Sequence, residues 1–151
     1  MISDPPSLTT DYLNHFGELV MLLEMLPDMP EAIDDARGWA PRTYLQHVDR
    51  VGIGDPASLR RNYEQLASAR RQRFDETSAA ANRLGQTIVE ILRDPMTSNS
   101  RLSGIVHLGC CAMRAHICRL AAIISHKSDA EIDRTGVDIQ SEIDALLAAA
   151  A

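Results

Sequence analysis

The chain has 151 residues, 45% of them apolar and 24% charged, with a formal net charge of −6. The apolar share and modest charge exclude a globally disordered chain, and the length fits one domain able to bury a real core. Only six residues are aromatic, one Trp, three Tyr and two Phe, a shortage that disfavours sheet-rich folds, which draw on aromatic and β-branched side chains.

Residues 1–10 hold Asp4 and two prolines and no basic-then-apolar run, so they read as a flexible N-terminus without a secretory signal. Thr9 or Thr10 offers an N-cap with Asp11 in the first turn. From there Tyr12, Phe16, Leu19, Leu23 and Leu26 recur at helical spacing. Leu19 to Leu26 is apolar almost all round, with Glu24 as its single charge, which predicts burial on more than one side, in a core or against a second copy. Pro27 and Pro30 end this helix, and Glu31 to Arg37 predicts a short acidic one closed by Gly38. Residues 38–55 form an irregular connector containing Trp39 and a short helix over Tyr44–Arg50. A Trp in such a segment either plugs the loop onto the core or anchors a partner.

Asp55-Pro56 is a helix start, with Asp as cap and Pro at the first helical position. The stripe Leu59, Tyr63, Leu66, Arg70, Phe74, Thr77, Ala81, Leu84, Ile88 and Ile91 then predicts one helix reaching Asp94-Pro95, about 57 Å long at 1.5 Å per residue, with Gly85 as its weak point. Ser98 or Ser100 caps a next helix running to about His126 along Leu102, Val106, Gly109, Met113, Ile117, Leu120 and Ile124. Its Gly and Ala residues keep it slim enough for close packing. Ser128 with Glu131 forms a capping box for a last helix, faced by Ile132, Ile139, Ile143, Leu146 and Ala150. The expectation is an all-α single domain over residues 1–151, an elongated bundle of about four main helices built on an antiparallel long pair. The long seam and the Leu19–Leu26 run point to a homodimer.

Charge is segregated: residues 1–55 sum to −7, residues 56–127 to +6 and residues 128–151 to −5. The acidic ends either fold back on the basic middle or leave it for an anionic partner. Arg60, Arg61, Arg70, Arg71 and Arg73 are the candidate anion-binding group, but few aromatics interleave with them for stacking, so nucleic acid is disfavoured. Cys110, Cys111 and Cys118 are an odd cluster, which reads as reduced thiols in the cytoplasm. Ile105 to Ser125 is the most apolar window, yet it carries Arg114, Arg119 and two histidines, so no membrane span is expected.

His107, Cys111, Arg114 and Cys118 share one face of their helix. His107 and Cys111 are the only metal-ligand candidates, and they need help from another helix, such as His15 or His47. Arg114 between them repels a cation, so no metal is assigned. An EF-hand-like run, Glu131, Asp133, Thr135, Gly136 and Glu142, is explained better by the last helix. Neither His15 nor His107 has the surroundings of a phosphotransfer histidine, and His15 with Glu18 is an i, i+3 surface pair rather than a dyad. Nucleophile elbows, phosphate loops and zinc-protease motifs are missing. No cofactor is therefore assigned, and whether the chain is an enzyme stays open, with the balance against it. The expectation is a small cytoplasmic helical interaction protein with a protein partner, its contact residues drawn from Leu19, Val20, Leu23, Trp39, Arg70, Arg71 and Arg73. A metal- or cofactor-binding bundle is the alternative, and an anion binder through Arg60–Arg73 the third reading.

Overall fold

Thr9 caps the first helical segment: its hydroxyl accepts from the Asp11 N–H, and one 3-10 turn, Thr10–Tyr12, leads into α1, Leu13–Met25. The computed structural model describes residues 8–52, 54–125, 144–146 and 148. The remaining elements are α2 (Ala32–Arg37), α3 (Tyr44–Val51), α4 (Pro56–Glu64), α5 (Ser68–Arg93) and α6 (Asn99–Ile124), with no strand among the described residues. The all-α expectation holds, with more and shorter helices than the periodicity suggested. Leu8, within the segment expected to be flexible, has a buried side chain.

One seam is legible from sequence. Tyr12, Phe16, Leu19, Leu23 and Leu26 are all buried, as are Phe74, Thr77, Ala81, Leu84, Ile88 and Ile91 of α5. α5 and α6, joined by a turn over residues 94–98, form the antiparallel long pair, each about 39 Å long. α1 packs against both, and α2 covers α1 and α5. Gly109 lets α6 approach closely: a Cβ there would meet Ile88 Cδ1 at 3.1 Å and Leu23 Cδ1 at 3.7 Å.

Three expectations are corrected. The single helix from Pro56 to Arg93 is two, broken at Gln65, Leu66 and Ala67. No Pro or Gly marks the break, and all three residues are good helix formers, so tertiary contacts decide it. Leu66 turns into the core, the Tyr63 hydroxyl donates to the Asp75 carboxylate at 2.7 and 2.8 Å, and Arg71 donates to the Glu64 carbonyl at the end of α4. The α6 core face is wider than the expected stripe: Gly109, Met113, Leu120 and Ile124 are buried as expected, Ile105, Cys110, His116 and Ile123 are buried beside them, and Leu102, Val106 and Ile117 are only partly so. A helix wedged between α1 and α5 buries two adjoining stripes rather than one. By length and composition Ser100–Ile124 is apolar enough to cross a bilayer, and here its Ile105–Met113–Leu120 face packs inside the fold.

The third correction concerns the surplus apolar surface. Leu19, Val20, Leu22, Leu23 and Leu26 are covered within one chain, leaving Met21 as the exposed apolar residue of that run. The two features that suggested a second copy, this run and a forty-residue seam, are thus absorbed or absent in the single chain. The capping box and the EF-hand-like run lie outside the described residues; of the last helix, residues 144–146 and 148 are described and helical, with Leu146 fully buried in the core.

Candidate functional site

The irregular connector becomes ordered by docking Trp39 between α1 and α5. Its indole stacks on His15 at 4.7 Å with an 18° interplanar angle, and its Nε1–H donates to the His15 carbonyl at 2.8 Å. On α5 the seat is Gly85: a Cβ at that position would fall within 2.5 Å of the indole ring. The sequence-level weak point of the helix is therefore the socket of the single Trp. The structure gives Trp39 the plug role rather than that of an exposed anchor.

Around this plug lies a polar network. Asn82 Oδ1 accepts from His15 Nε2 at 3.0 Å and from the Arg42 N–H at 3.1 Å, while its Nδ2 donates to the Arg42 carbonyl at 3.0 Å. The Tyr12 hydroxyl donates to the same carbonyl at 2.6 Å, and burial pushes its pKa up to about 12, which keeps that proton in place. Arg42 Nη1 donates to His47 Nδ1 at 3.2 Å, so the Nε2–H of His47 faces Asp11 Oδ2 at 2.7 Å. Asp11 and His47 resemble two members of a catalytic relay. The third member here is a guanidinium, which is no nucleophile, so the arrangement orients the connector and does not activate a hydroxyl or thiol.

His15 is 3% exposed and flat between Trp39 and Tyr12. Burial holds its pKa down to about 4, opposed by the Asn82 hydrogen bond and reinforced by Arg42 and His47. With Nε2–H directed at Asn82, the lone pair of the neutral ring sits on Nδ1. That atom makes no hydrogen bond among the described residues, and His15 lines an open cleft of about 870 Å³.

Glu18 of α1 and Asp34 and Asp35 of α2 contribute acids to this cleft, and Arg42 and Arg50 contribute bases from the connector and α3. Thr43 and Gln46 form a capping box that sets the direction of α3, and Gly52, at φ 69°, ends it in the left-handed conformation. Asp34 lies 3.6 Å from Arg37 across an exposed pair, whereas Glu18, Asp35 and Arg50 make no ion pair among the described residues.

The other candidates lie elsewhere. Leu19, Val20 and Leu23 are core residues. Arg70 Nη1 donates to the Ile123 carbonyl at 2.6 Å, so it caps the end of α6, just as Arg71 caps α4. Arg73 borders a smaller groove with Arg70 and Glu76. His107 and Cys111 are exposed on the outer face of α6, beside an Arg114–Glu24 ion pair. His15 and His47 are engaged with Asn82, Asp11 and Arg42 instead of joining them. No group of three His, Cys, Asp or Glu side chains among the described residues could hold a metal ion. Sequence reasoning missed Asn82, Arg42, Asp11 and His47 as a unit. The one available signal was Asn82, a polar residue flanked by Ala81 and Leu84 on a buried stripe.

No family model, curated protein or solved structure matches the chain. Its geometry is that of an open cleft with charges of both signs in an all-α fold.

Proposed function

We propose that the chain is a non-catalytic helical interaction protein that receives a segment of a protein partner in the cleft between α1, the Trp39 connector, α2 and α3. The observation that carries this reading is the cleft itself. Its floor is held by a hydrogen-bond network, while Glu18, Asp35 and Arg50 on its walls have no ion-pair partner among the described residues. A rigid floor lowers the ordering cost of binding, and unpaired wall charges give specificity more than raw affinity. Cys111 and Cys118 are exposed free thiols, which suits the reducing cytoplasm.

A photoreactive benzophenone side chain placed at Ala40, on the cleft, tests this against the same group at Gln72, which lies outside it. In extract of the source cells, position 40 is expected to give a discrete protein adduct that position 72 does not, and Asp35→Asn with Arg50→Gln should weaken it. Equal labelling from both positions, or an adduct indifferent to the two substitutions, removes the cleft from consideration.

A further inference from the structure

Opposite charges in one cleft attract, yet this fold holds them apart. Glu18 and Asp35 on one side, and Arg50 on the other, come within no ion-pair distance of each other. Asp34 reaches only its own-helix neighbour Arg37, and Arg42 is turned to His47. His15, 3% exposed, lines the same cleft, and its Nδ1 makes no hydrogen bond among the described residues. Burial keeps that ring neutral down to about pH 4, so at neutral pH Nδ1 is an acceptor and its natural complement is a donor. An occupant carrying only negative charge would meet three carboxylates and a lone pair. One carrying only positive charge would meet two guanidinium groups.

We propose that the cleft recognises a mixed-charge segment of the partner: an arginine or lysine side chain directed at His15 Nδ1 and the carboxylates of Glu18 and Asp35, with a carboxylate close by for Arg50 and Arg42. This deepens the interaction reading above and rests on it. A planar guanidinium suits the site better than an ammonium, because it offers several donors in fixed directions to a ring nitrogen and carboxylates together.

Three small probes separate the parts of this claim. N-acetylarginine carries both charges, N-acetylcitrulline replaces the guanidinium with a neutral isostere, and N-acetylagmatine lacks the carboxylate. Each is titrated into the full-length protein while the ring ¹⁵N signal of His15 is followed. Fluorescence of Trp39, stacked on that ring, serves as a second readout. N-acetylarginine should move both signals saturably, with N-acetylcitrulline at least about tenfold weaker and N-acetylagmatine several-fold weaker. Arg50→Gln should erase the difference between N-acetylarginine and N-acetylagmatine, and Asp35→Asn should narrow that between N-acetylarginine and N-acetylcitrulline. Both positions are exposed, so both variants are expected to fold. Equal response to all three probes, or none from any, overturns the ligand class. A cleft-specific photo-adduct obtained alongside that failure would leave the interaction reading standing.

Discussion

The two ends of the core are built from different materials. All six aromatic residues of the chain gather at one end, where Tyr12, Phe16, Tyr44, Tyr63 and Phe74 form a run of ring contacts and His15 links them to Trp39. The other end is aliphatic and slim, with Leu23, Leu84, Ile88, Gly109 and Met113 bringing α1, α5 and α6 together. Regular helices bury periodic side chains and satisfy their own backbone, so the aliphatic end needs few side-chain hydrogen bonds. The connector cannot satisfy its own backbone. Wide rings fill its uneven spaces, and Asn82 bonds both the N–H and the carbonyl of Arg42. The mixed-charge cleft opens over this second kind of core, where polar groups already lie.

The contrast can be broken most directly at Trp39. Trp39→Ala should cost about 3–5 kcal/mol in urea unfolding, and the cleft floor should be lost with it, since His15 loses its stacking partner. A cost as large in stability with intact probe binding would show that the connector is held without the plug. Gly85→Ala comes next. Helix propensity favours the alanine by about 1 kcal/mol, but its Cβ would collide with the indole within 2.5 Å, so a net loss of about 1–3 kcal/mol is expected. In a Trp39→Leu background the same substitution should be nearly neutral or stabilising, a coupling that a double-mutant cycle reads directly.

Acid offers a further test, because burial holds two histidines neutral. His15 at the aromatic end and His116 in the seam both have pKa values lowered from 6.5 to about 4 by burial, with Arg119 and Arg83 adding to the effect at His116. The unfolded chain takes up these protons near pH 6.5 and the folded chain resists them, so stability is full above pH 6.5 and falls as the pH drops toward 4. The slope should reach up to about 1.4 kcal/mol per pH unit for each histidine. Equilibrium unfolding across this range should show it, and His15→Gln or His116→Gln should each remove one proton's share. A flat profile would mean that neither ring is held neutral.

The smallest effects belong to the arginines. Arg70→Gln should cost about 1 kcal/mol by freeing the last carbonyls of α6, and thermal unfolding would detect it. Arg60→Gln, which breaks an exposed 2.6 Å contact to Asp49, should leave the melting temperature unchanged.

Arginine usage shows where one-dimensional reasoning stops. Four arginines donate to carbonyls at the ends of other helices: Arg70 to Ile123, Arg71 to Glu64, Arg37 to Leu92 and Arg93 to Arg37. A basic middle segment suggests an anion surface when read along the chain. Folded, at least two of its members neutralise the negative ends of helix dipoles. Likewise, Gly85 is an interruption in sequence and a socket in space, and His15 and Glu18, an i, i+3 pair on one helix, separate into a buried acceptor and an exposed wall charge.

What the residues determined by themselves is the helical class, the Thr9, Asp55 and Ser98 caps, the core faces of α1 and α5, and the pairing of α5 with α6. These are local or periodic properties, readable wherever the interacting groups lie within a turn or two of one another. Tertiary structure alone decided the break at Gln65–Ala67, the seat of Trp39 on Gly85, and the cleft in which Glu18, Asp35, Arg50 and His15 meet. Those contacts join residues tens of positions apart, such as His15 with Asn82, and their energy depends on burial and on direction, which a linear pattern does not carry.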